Sequence, residues 1–231
     1  MRALIPLLFV PLPLAAQEVD LELVLLADAS GSIDEEEIEF QRQGYATATT
    51  SPEVLYAISS TMTGTIAITY VEWAANQAVV VDWTVIDGEA AAQAFAARLL
   101  DPPRMAYGRN AIGAALIEGK RLIEENRITS LRQVIDFSGD SVGNFSGPRI
   151  SDARAQVLAA GITINGLPIL RDGRAADLVA AYEAQIIGGP GAFVVAATSR
   201  ATFAEAVRRK LVLEIAATPP PLTVAQGDTS R

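Results

Sequence analysis

The chain contains no cysteine and no histidine. Without cysteine there is no disulfide scaffold, and the thiol that carries a bacterial lipoprotein's lipid is missing. Without histidine a Ser-His-Asp triad, a Cys-His pair and a His-ligated zinc ion are all impossible. Lysine is confined to Lys120 and Lys210, and neither lies in an S-x-x-K pattern that would replace histidine as a base. Positive charge is scarce as well: 18 Lys and Arg stand against 27 Asp and Glu, a net charge of −9. Such a surface offers no broad positive patch to nucleic acid or to an anionic membrane. Beyond the N-terminus no apolar run is long enough to cross a bilayer.

What is present begins with Met1 and Arg2, an apolar stretch from Ala3 to Ala16, and then Gln17 and Glu18. A cationic start, an apolar run and a small-residue end read as a secretory signal peptide over 1–16. Pro6, Pro11 and Pro13 interrupt the run, which argues against a membrane anchor. The mature product is therefore expected to be exported and soluble, in a periplasm or outside the cell. Losing Arg2 takes the 18 basic residues to 17 against 27 acidic, a net charge of −10. The 231 residues, half of them hydrophobic, fit one domain with a sizeable core, expected over 17–217. Pro219, Pro220 and Pro221 open a polar tail, expected to be disordered over 218–231.

Leu21 to Ala27 is a nearly continuous apolar run, the signature of a strand buried on both faces. Asp34 to Thr49 reads as a helix with an acidic first turn. Thr65 to Trp73 and Gln77 to Trp83, separated by three residues, read as an antiparallel hairpin. Helices are expected at Glu89–Leu100, Asn110–Glu125, Ser151–Ala160, Ala175–Ile186 and Ser199–Ile215. Strands are expected at Gln133–Ser138, Ile162–Ile169 and Ala192–Ala196. This alternation predicts an α/β, doubly wound, mostly parallel six-stranded sheet with one antiparallel edge strand and helices on both faces.

Open sheets of this kind bind ligands beyond the carboxyl ends of their strands, where the strand order reverses. The first strand runs out into Asp28-Ala29-Ser30-Gly31-Ser32, and the strand Gln133–Ser138 runs through Gly139 into Asp140. If these strands are neighbours, two carboxylates and two hydroxyls converge in an all-oxygen site. Hard divalent cations such as Mg²⁺ prefer that ligand set.

The run from Asp28 to Ser32 resembles the DxSxS metal-ion-dependent adhesion site of von Willebrand factor A domains. Gly108 to Leu116 (GRNAIGAAL) resembles the family's second loop, and Val134 to Asp140 (VIDFSGD) the strand that ends in its third metal loop. The order of elements matches over essentially the whole mature chain. VIDFSGD, INGLPI and GGPGAFV further resemble a branch of exported bacterial proteins of uncharacterised function. The resemblance implies that Ser30 and Ser32 ligate a cation through their hydroxyls. It implies that Asp28 and Asp140 hold the ion directly or through water, and that one position stays open for a partner's carboxylate. Asn110 stands where the family's second loop supplies threonine; its amide oxygen is a legitimate ligand for a hard cation. Arg109 places a positive charge beside it.

Each residue also has a plainer use. Ser32 with Glu35 fits a capping box, and Asn110 is a good helix N-cap. Asp136, inside an expected buried strand, fits a satisfied structural carboxylate. Asn144 and Phe145 fit an ordinary surface loop. Gly139-Asp140-Ser141-Val142-Gly143 matches the G-x-S-x-G nucleophile elbow, but a serine hydrolase at Ser141 lacks a histidine base, and Gly143, Gly147 and Pro148 point to a loop instead of an immediate helix. The expected function is cation-dependent protein recognition without catalysis. Mg²⁺ is the expected ion, with Mn²⁺ or Ca²⁺ as substitutes, and the expected partner is a protein offering an Asp or Glu. A metal-free interaction domain on the same scaffold is the alternative.

Overall fold

The computed structural model describes residues 17–170 and 175–217. The leader expected over 1–16 and the tail expected over 218–231 lie outside the described residues. The element order is β1(Gln17–Asp28), α1(Glu35–Thr49), α2(Pro52–Ser59), β2(Ile66–Trp73), β3(Gln77–Ile86), α3(Glu89–Leu100), α4(Ile112–Glu125), β4(Ile128–Gly139), α5(Ile150–Ala159), β5(Thr163–Pro168), α6(Ala175–Gln185) and α7(Arg200–Ile215). The strands form one sheet in the order β3-β2-β1-β4-β5. All neighbours run parallel except the β2/β3 hairpin, which makes β3 an antiparallel edge.

β1 is central, and from Val19 onward every residue of it is buried. Its alternation sends Leu21, Leu23 and Leu25 into a core shared with Tyr45, Ile58, Phe95 and Phe203, under α1, α2, α3 and α7. Val24 and Leu26 enter the opposite core with Leu116, Val157 and Tyr182, under α4, α5 and α6. A strand covered on both sides favours apolar residues on both faces, which is why the run from Leu21 to Ala27 is nearly continuous instead of alternating. The one charge within that run, Glu22, is buried with Asn126, Ser130 and Gln133 donating to its carboxylate.

The sheet has five strands, not the expected six. The segment around Ala192–Ala196 lies beside β5 but makes only isolated bridges, Gly166 with Val194 and Ile169 with Ala197. The Gly166 N–H donates to the Phe193 carbonyl (3.0 Å) and Val195 N–H to the Gly166 carbonyl (3.0 Å). The next donor in that ladder is Pro168, which has no N–H, so the pairing breaks before it resumes at Ala197 and Leu170. Helix α2 was not anticipated from the sequence. Ser51 caps it through Val54 N–H, and Pro52 occupies its first turn.

Among the described residues no helix is long and apolar enough to cross a membrane.

Candidate metal site

After β1 the chain continues to β2 on one side, and β4 pairs with β1 on the other. The carboxyl ends of β1 and β4 therefore flank the point where the sheet changes direction. Asp28 ends β1, and Gly139 ends β4 directly before Asp140.

Asp28 is fully buried. Its Oδ1 accepts the Ser30 N–H at 2.8 Å, and its Oδ2 faces the Asp140 N–H at 3.5 Å. Ser30 Oγ and Ser32 Oγ are 3.2 Å apart, and Ser32 Oγ donates to Asp140 Oδ1 at 3.2 Å. Adjacent oxygens around an octahedral Mg²⁺, each about 2.1 Å from the ion, stand about 3 Å apart. The spacing of the two hydroxyls and the Asp140 oxygen is thus of the size that ion requires, and every donor is a hard oxygen. Among the described residues no group of three or more His, Cys, Asp or Glu side chains gathers into a metal site. The constellation has two carboxylates and is completed by hydroxyls.

Burial pushes the Asp28 carboxyl up to about 7, partly offset by the Ser30 N–H and raised further by the nearby Asp140 charge. A buried carboxylate beside a second one is costly unless a positive charge arrives.

Two plainer uses foreseen in the sequence are not realised. The capping box of α1 is formed by Asp34 and Glu37, whose side chain and backbone groups satisfy one another, and not by Ser32 and Glu35. Ser32 is therefore left facing Ser30 and Asp140. Asn110 does not cap α4 either: the cap position is Ala111, with no side-chain hydrogen bond. Instead Asn110 Nδ2 donates to Ser141 Oγ at 2.8 Å. The structure thus gathers Asp28, Ser30, Ser32 and Asp140 directly, and brings Asn110 to them through Ser141, the neighbour of Asp140. Ser141 lies in a loop that reaches α5 only at Ile150, so the helix a nucleophile elbow requires does not follow it.

The loops are held by residues the sequence reading did not single out. Arg104 donates to the carbonyls of Ala29, Ser30 (3.1 Å) and Ile33 (3.1 Å), clamping the first loop to the second. Gly31 N–H adds a bond to the Gly108 carbonyl at 2.8 Å. Buried Glu72 on β2 pairs with buried Arg42 on α1 at 2.6 Å. Glu72 also accepts the N–H groups of Met105 (2.7 Å) and Ala106 (3.3 Å), while Arg42 donates to the carbonyls of Pro102 and Pro103. The signal was available: Arg42 and Glu72 are charges inside an otherwise buried helix face and strand. On β4, Trp73 Nε1 donates to the Ser138 carbonyl at 3.0 Å and the Tyr182 hydroxyl to the Gly139 carbonyl at 2.8 Å. A Cβ on Gly139 would stand 2.8 Å from Asp28 Oδ2 and 2.9 Å from the Trp73 ring, so only glycine lets β4 pass this close. Asp136, the other acid of this strand, is a buried structural carboxylate paired with Lys210 on α7 at 2.6 Å.

This sheet order, with acids and hydroxyls at the reversal point, defines a von Willebrand factor type A fold, and solved structures agree. A von Willebrand factor type A protein from Catenulispora acidiphila superposes with a TM-score of 0.56 at 17% identity, over 85% of this chain and 43% of that one. The vWF domain of the type V pili tip protein Mfa5 from Porphyromonas gingivalis gives 0.58 at 10% identity, over 88% of this chain and 97% of that one. Proximal thread matrix protein 1 from the mussel byssus, solved with a zinc-occupied MIDAS motif, gives 0.59 at 13% identity, over 85% and 46%. This chain spans under half the length of the mussel protein. At such identities these likenesses establish the fold alone. The chain belongs to the family described as Protein of unknown function (DUF1194), whose model matches residues 18–219. No curated protein matches it.

Proposed function

We propose that the protein is an exported recognition module that binds a partner protein through a divalent cation. Asp28, Ser30, Ser32, Asn110 and Asp140 hold the ion. The observation that carries this reading is the convergence of Ser30, Ser32 and Asp140 oxygens at 3.2 Å spacing over the buried Asp28. Ser30, Ser32 and Asp140 face the ion, Asp28 holds it directly or through water while fixing the serine loop through the Ser30 N–H, and the Asn110 amide oxygen fills the place of a hydroxyl. Mg²⁺ suits the hard oxygen set, and Mn²⁺ or Ca²⁺ substitutes for it. With at most two carboxylates on it, the ion keeps enough positive charge to attract an Asp or Glu from the partner. The apolar leader over 1–16 supports export, to a periplasm or to the medium. The absence of histidine and the loop that follows Ser141 support recognition without catalysis.

The test is calorimetric titration of Mg²⁺ and Mn²⁺ into chelator-treated protein, alongside Asp28→Asn and Ser32→Ala. One-site binding that both variants weaken at least tenfold is the expected result. If neither ion gives heat nor raises the melting temperature, the reading fails and the metal-free interaction domain takes its place.

A further inference from the structure

We infer that the partner presents two carboxylates to this edge, one to the cation and a second to Arg109. The inference rests on the cation reading above and names what that site selects.

Three observations carry it. First, Arg109 is exposed on the loop that abuts the serine loop, immediately before Asn110, and its guanidinium carbon lies 3.9 Å from the centroid of the Phe145 ring. A guanidinium stacked on a ring keeps its edge N–H groups outward, in the fork that matches a carboxylate. Second, no carboxylate among the described residues pairs with Arg109, whereas the other arginines that hold this end are engaged: Arg104 on backbone carbonyls and Glu35, Arg42 on Glu72. Stacking on Phe145 fixes the direction of the charge without neutralising it. Third, the ring that supports Arg109 belongs to the loop that follows Asp140, and Phe145 N–H donates to the Asn110 carbonyl at 2.8 Å. The stacked pair is therefore built into the same two loops as the proposed ligands Asn110 and Asp140.

An arginine beside a dication weakens cation binding by repulsion, so its position calls for a compensating anion. The protein itself is strongly acidic, with a net charge of −9, yet none of the described carboxylates pairs with Arg109. A partner segment with two acids supplies one to the ion and one to the guanidinium. A segment with a single acid leaves the guanidinium unmatched and the ion in its repulsive field.

The experiment uses Mn²⁺ bound to the purified protein, with water-proton relaxation reporting displacement of water from the ion. The probes are capped tetrapeptides carrying one aspartate among glycines, the same peptides with a glutamate at each of the other positions in turn, and matching glutamine controls. At one spacing or more, the diacidic peptide is expected to bind at least tenfold more tightly than its glutamine control. Arg109→Ala is expected to cut that advantage below twofold while tightening Mn²⁺ itself, and Phe145→Ala to reduce the advantage in part. Equal binding of diacidic and control peptides at every spacing, or an advantage that survives Arg109→Ala, overturns the second-acid inference and leaves the cation reading standing. No Mn²⁺ signal in the unaltered protein overturns both.

Discussion

The site depends on single atoms being in reach, and Gly139 is where that dependence is tightest. A methyl group there must displace the Asp28 carboxylate or the Trp73 ring. Gly139→Ala is expected to cost about 1–3 kcal/mol, as overpacking of a close-packed site does. For a domain of this size that is roughly 2–4 °C of melting temperature per kcal/mol. Thermal unfolding in chelator reads the cost, and titration with Mn²⁺ is expected to show weakened binding as well. Glu214 gives a prediction of a different kind. It is buried on α7 beside Asp136, with Lys210 Nζ 2.5 Å away and Asn165 Nδ2 donating at 2.9 Å. Burial, offset by Lys210 and reinforced by Asp136, raises its carboxyl to about 7 from an ordinary 4.5. A carboxyl raised on folding adds nothing unfavourable below its unfolded value. Its penalty grows as pH rises and is complete above about 7. Stability measured by urea unfolding in chelator is therefore expected to fall between pH 5 and 8 more steeply in the unaltered protein than in Glu214→Gln. Equal slopes would place the pH dependence elsewhere.

At the scale of elements, the sequence was legible wherever one periodicity decided the matter. β1, the β2/β3 hairpin and helices α3 and α4 lie within a few residues of their expected places, because each is a long run of one pattern. What the sequence hid depends on choices between partners. Ser32 with Glu35 and Asp34 with Glu37 both have the spacing of a capping box, and only the backbone shows that the helix takes the second pair. Asn110 has the composition of an N-cap, but the turn starts two residues later and its amide reaches Ser141 instead. The sixth strand was lost to one missing N–H at Pro168, which a hydropathy pattern does not register. Each charge of the clamp on the second loop is legible alone, but their pairing is not, because Arg42 and Glu72 are thirty residues apart in sequence. Breaking a buried ion pair from one side costs about 3–5 kcal/mol. Glu72→Gln is accordingly expected to lower the urea midpoint and to release the loop it grips. Hydrogen exchange at the Met105 and Ala106 amides should accelerate beyond what the loss of global stability explains. If those amides stay protected, the loop is held by other contacts.

For the whole molecule, the proposed function makes folding and cation binding one linked equilibrium. The site draws on β1, β4 and the loop before α4, which the folded sheet brings together and the unfolded chain does not. A ligand of the folded state alone stabilises it by about 2.7 kcal/mol at a hundredfold excess over its Kd. Mg²⁺ or Mn²⁺ at that excess is expected to raise the melting temperature by several degrees, with Asp28→Asn showing a clearly smaller rise. An equal rise in both proteins would mean that the ions act on the acidic surface generally, since the net charge of −9 invites nonspecific screening.

Trp73 gives the molecule an optical consequence. Its indole is buried, stacks on the Phe137 ring at 4.9 Å with the planes 27° apart, and donates to the Ser138 carbonyl one residue before Gly139. The second tryptophan, Trp83, is partly exposed and donates to the Leu122 carbonyl, away from these loops. Replacing Trp83 with phenylalanine would leave a single tryptophan, excitable apart from the five tyrosines, whose surroundings change whenever Asp28 and the end of β4 rearrange. Its emission spectrum would then follow occupation of the site in real time, with no dye attached.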